Sequence, residues 1–188
     1  KRYAFGSQLK ILIWNLARFA ECLVTLIDAD SAVAIEVLNA RMKAIQSDSV
    51  QAYQAMMCKK IGLTSVTSEG TALADTLLAV MEENSADYTR TFRQLTQVGT
   101  EPIGRTARGE FNEPAGFDAW HKRWLAHLQA TTTVEDASKL MKSVNPSVIP
   151  RNHQVAQAIT DAENDDLSTA ESLHHALLSP YEDRPEDD

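Results

Sequence analysis

Apolar residues recur along this chain at steps of three and four, the spacing that lines one face of an α-helix. In the first stretch Leu9, Leu12, Leu16, Phe19, Leu23 and Ile27 make such a stripe, while Lys10, Arg18, Glu21, Thr25 and Asp28 fall largely opposite. Ile11, Ile13 and Trp14 widen the apolar share beyond what a surface helix needs, so the segment up to Ile27 is expected to be the central helix of the fold. Asp28 to Ser31 then supply stop and N-cap residues. The next stretch carries Ile35, Leu38, Met42 and Ile45, then Val50, Tyr53 and Met57, and ends at Gly62. Its polar middle, Gln46 to Ser49, fits either a break or one long helix.

Further helical segments follow. Leu73, Leu77, Leu78 and Met81 mark one, and Tyr88, Phe92 and Leu95 mark a shorter one capped from Ser85-Ala86-Asp87. Phe117, Trp120, Trp124 and Leu128 mark the next, and a short helix follows Thr133 up to Val144. Asn145-Pro146 and Ile149-Pro150 force an extended or turning path. Two last helices hold Val155, Ala158, Ile159 and Ala162, then Leu167, Leu173, Leu177 and Leu178. Between residues 99 and 116 the periodicity lapses amid four glycines and two prolines, which predicts a mobile internal loop. No segment alternates with period two. The expected fold is all-α, a helical bundle of about seven or eight helices in a single domain over residues 1–188, with a frayed acidic tail at 181–188.

Charge sharpens this picture. The formal net charge is −8. Ten acidic residues against Arg151 and Arg184 give residues 151–188 that whole balance, and residues 1–150 are neutral. With no basic face, nucleic acid is not an expected partner. Lys10, Arg18 and Glu21 interrupt the first apolar run, so no membrane span or signal peptide is expected there. Two cysteines, Cys22 and Cys58, are too few for a disulfide scaffold and favour a reducing compartment. The first residue is Lys rather than Met, from which a piece of a longer protein is expected.

Candidate chemistry is sparse. Glu171 and His174 have the i, i+3 spacing of bundle dimetal sites, but a second such pair is missing and Asp118 with His121 is only an approximation. Solvated helix residues are the better reading. Arg105 and Arg108 among glycines suggest anion binding, but the spacing is not that of a phosphate loop. Trp120 and Trp124, at i and i+4, read as packing rather than a stacking platform. Arg151-Asn152 reads as a helix cap and a bridge to another segment. No catalytic, cofactor-binding or metal-binding residue is assigned.

Taken in order, several blocks resemble the C-terminal part of the selenoprotein O family. They are Arg2-Tyr3-Ala4-Phe5, Trp14-Asn15-Leu16-Ala17-Arg18, Lys59-Lys60-Ile61-Gly62-Leu63, Asp87-Tyr88-Thr89 with Thr91-Phe92-Arg93, Asn145-Pro146, Arg151-Asn152 with Gln157-Ala158-Ile159, and Ser179-Pro180-Tyr181. Ser7-Gln8-Leu9 stands where the family usually has Asn-Gln-Pro, and Pro150 where it has Leu. The resemblance implies a protein-kinase-like fold, described as a pseudokinase, that transfers AMP from ATP to Ser, Thr or Tyr hydroxyls of proteins. It implies that the ATP-binding and metal-binding residues lie upstream of this chain, with ATP and Mg or Mn as cofactors of the full-length protein and none in this part. It also implies that Arg2 to Phe5 is where the catalytic segment hands over to its scaffold, and that a redox-active Cys or selenocysteine follows Asp188 in many members. A bacterial member would be cytoplasmic and a eukaryotic one mitochondrial. The alternatives are a stand-alone helical interaction or dimerisation module and a dimetal bundle enzyme.

Overall fold

The structure is a computed structural model, described over residues 5–98 and 107–183. Within those residues it is all-α with no strand. The eight α-helices are α1 (Gln8–Ile27), α2 (Ser31–Lys60), α3 (Ser68–Asn84), α4 (Tyr88–Gln94), α5 (Ala115–Thr131), α6 (Val134–Val144), α7 (Asn152–Ala162) and α8 (Ser168–Leu177). The chain divides into two compact units, residues 1–55 and 56–188.

In the first unit, Asp28 and Asp30 make successive turns, each carboxylate accepting from a backbone N–H two residues on at 2.8 Å. α2 then runs unbroken through Gln46 to Ser49. Ser49 Oγ donates to Ile45 O at 2.6 Å, so its hydroxyl is satisfied along the helix and no break is needed. α1 is not the core helix that its periodicity suggests, because none of its residues is buried. Up to Ala55, Ala34 is the only buried residue among those described. The covered side of α1 is also rotated from the expected stripe. Leu9, Leu16 and Leu23 are half-buried as expected, but their half-buried neighbours are Ile13, Ala17, Ala20 and Val24. Leu12, Phe19 and Leu26, at seven-residue steps, form an exposed line beside them, with Phe19 60% and Leu26 78% exposed.

The second unit has a true core. Ile61, Leu73, Leu77, Phe92, Trp124, Leu128 and Met141 are almost fully enclosed. The rings of Trp120 and Trp124 stack at 5.2 Å, and each indole finds a buried backbone acceptor at 2.8 Å, Leu73 O and Ile61 O respectively. Both indoles are therefore packing elements, as the i, i+4 spacing indicates. Helix starts are set by side chains: Thr67 accepts from Gly70 N, Asp87 from Arg90 N and Thr133 from Asp136 N. Gly62 has φ +81°, and a Cβ there would lie 3.0 Å from Ala137 Cβ. Both the left-handed turn and the close approach of α6 require glycine.

Of the glycine-rich stretch, residues 99–106 lie outside the described residues, Arg105 among them. Residues 107–116 are built into the unit: Ala107–Glu110 forms a 3-10 turn, Ala107 and Phe111 are buried, and Phe111 stacks on Phe117 at 4.5 Å. Tyr3, the side chain of Phe5 and the tail beyond Asp183 also lie outside the described residues.

Candidate functional site

The polar residues of the second unit converge on α4. Its N-cap Asp87 divides its two carboxylate oxygens: Oδ1 accepts from Arg90 N at 2.8 Å and Oδ2 from the Arg151 guanidinium at 2.7 Å. That guanidinium holds the Asp87 carboxyl below the ordinary carboxylate range, and Asp87 in turn raises Arg151. At the other end of α4, Arg93 donates to Asn145 O at 2.9 Å and Tyr181 O at 3.1 Å, and pairs with the Asp183 carboxylate.

Beneath α4 lies a buried joint. Asn145 is fully enclosed, and its amide donates to Lys60 O at 2.8 Å and Phe92 O at 3.2 Å. Its own oxygen accepts from Lys60 Nζ at 3.1 Å. The Lys60 ammonium also sits 5.1 Å from the centre of the Phe92 ring and 5.5 Å from that of Tyr88. The negative ring faces replace part of the hydration that burial removes, and burial pushes the Lys60 pKa down. The ends of α2, α4 and α6 are thus fastened to one side chain.

Residues that the spacing singled out do not converge. Glu171 and His174 are both exposed on α8. Asp118 is engaged by Arg108 through two contacts of 2.8 and 3.0 Å, which lower Asp118 and raise Arg108. His121 lies among the rings of Phe117, Trp120 and Trp124, and burial lowers its pKa. Among the described residues, no three His, Cys, Asp or Glu side chains form a cluster of metal-binding size. Cys22 is exposed and the buried Cys58 is raised by desolvation; both are free thiols. Arg151 does bridge to another segment, as expected, although Asn152 is the first residue of α7 rather than its cap. No helix among the described residues is long and apolar enough to cross a membrane.

The joint was visible in sequence only as punctuation. Asn145 precedes a proline and Lys60 closes a helix; neither position announces a partner 85 residues away. The one signal was that Lys60, Asp87, Arg93, Asn145 and Arg151 all belong to the blocks that carry the family resemblance.

Comparison with known proteins agrees with that resemblance. The family described as protein adenylyltransferase SelO matches residues 1–178. Proteins named protein nucleotidyltransferase YdiU are similar over nearly the whole chain. The one from Bradyrhizobium diazoefficiens is 40% identical over 187 residues and the one from Alcanivorax borkumensis 42% over 190, covering 98% and 100% of this chain. The chain spans 38% of the length of each of those relatives. With a family match over most of its length and its polar joint made of family-block residues, the chain belongs to the protein adenylyltransferase SelO family.

Proposed function

We propose that this chain is the C-terminal helical scaffold of a protein adenylyltransferase. In this reading the whole protein moves AMP from ATP to Ser, Thr or Tyr hydroxyls of protein substrates, using Mg or Mn, and residues outside this chain hold the nucleotide and metal. The carrying observation is the fate of the family-block residues. Lys60, Asp87, Arg93, Asn145 and Arg151 direct their polar groups at one another and at backbone carbonyls, which is the work of a scaffold. The match over 38% of the relatives' length supports it, since most of each relative lies beyond the match. In bacterial hosts like those of the relatives, the reading expects a cytoplasmic protein.

The exposed line of Leu12, Phe19 and Leu26 is the surface on which the remainder of the longer protein is seated. The stand-alone module would use the same line for another copy or partner. AMP transfer by the longer protein separates the two. Replacing Leu12, Phe19 and Leu26 together by Ser is expected to abolish transfer of labelled AMP to an acceptor protein, with the melting of the second unit unchanged. Undiminished transfer by that variant overturns the seating.

A further inference from the structure

Among the described residues, the hairpin of α7 and α8 is tied most densely at its neck. The two helices pack on each other, and Thr169 Oγ1 on α8 donates to Asp161 Oδ2 on α7 at 2.6 Å. Yet α7 buries only Ala158 and α8 buries no residue. Ile159 and Leu167 are each 56% exposed. At the neck the density of bonds is quite different. Pro180 O accepts from Ser147 N at 2.7 Å and Val148 N at 3.3 Å, closing the incoming segment on the outgoing one. The incoming side is then clasped by Arg151 to Asp87 at the start of α4, and the outgoing side by Arg93 to Tyr181 O and Asp183 near its end. Arg93 is largely enclosed, with 12% of its side chain exposed, whereas Asp183 is 69% exposed.

We infer that α7 and α8 form a hinged arm that opens as one piece from the core of the second unit, with Arg151–Asp87 and Arg93–Asp183 as its two clasps on α4. Elements with few buried apolar contacts open at lower free energy than the core, and do so as contiguous blocks. The seven-residue α4 serves as the hinge post, because both clasps sit on it.

Hydrogen exchange on the intact chain tests it. In the wild type, amides of residues 152–177 exchange together and faster than those of α3 and α5. R151Q removes one clasp and leaves Asp87 free to cap α4. It is expected to speed exchange at Ser147, Val148 and 152–177 by about tenfold, with α3 and α5 remaining the slower set. D183N, a milder change at an exposed carboxylate, moves the same amides by a smaller factor, and R151K restores most of the protection. Hairpin amides that exchange as slowly as those of α3 and α5 in the wild type would show that the hairpin belongs to the cooperative core and overturn the inference. So would hairpin exchange that neither R151Q nor D183N changes.

Discussion

The two units carry the same kind of helical periodicity and use it in opposite ways. In the second, the apolar stripes of α3, α5 and α6 meet one another, and Leu73, Leu77, Trp124, Leu128 and Met141 are almost wholly removed from water. In the first, α1 has the richer stripe and no buried residue. Leu12, Phe19 and Leu26 stand exposed. Amphipathic spacing states that a helix has a face to cover; it does not state what covers it. The apolar line of the first unit stays in water, whereas the stripes of the second are a core.

The largest effects of substitution are expected in the core of the second unit. Trp124→Ala removes a fully enclosed indole and its hydrogen bond to Ile61 O, and is expected to destabilise the second unit by about 3–5 kcal/mol. Urea unfolding monitored by circular dichroism measures it. Asn145→Ala comes next. It strips the acceptor from the buried Lys60 ammonium and the donor from Lys60 O and Phe92 O, for a loss of about 2–4 kcal/mol. The same unfolding experiment should place N145A between W124A and any surface variant.

A smaller effect depends on pH. Asp87 is depressed chiefly by the hydrogen bond from Arg151. A carboxyl with a depressed folded pKa adds stability above its unfolded value, and that stability is lost as pH falls through the folded value. R151Q should therefore cost about 1 kcal/mol near neutrality and flatten the acid-induced loss of stability below about pH 4. Unfolding curves collected from pH 7 to acid give both numbers. The smallest effect is expected in the first unit: Phe19→Ser, at a side chain already in water, should change unfolding free energy by less than about 0.5 kcal/mol.

The same contrast explains what the sequence made legible. Helix positions, the Gly62 stop and the packing role of Trp120 and Trp124 follow from local chemistry and are found in the structure. On α1 the line Leu9, Leu16, Leu23 is correct, but apolar residues lie on both sides of it, and spacing cannot tell which side is covered. The joint around Asn145 was hidden for another reason. Its partners come from α2 and α4, 85 and 53 positions away, and a buried polar contact between distant segments leaves no periodic trace. Phe111 shows the same limit: it lies in a stretch without period, yet it packs on Phe117 inside the core.

We propose that this chain supports adenylyl transfer without holding the nucleotide. Calorimetric titration of Mg–ATP into the purified chain tests it most directly. No saturable heat is expected up to about 1 mM nucleotide, the weak end of the affinity scale. Saturable, magnesium-dependent binding in the micromolar range would contradict it.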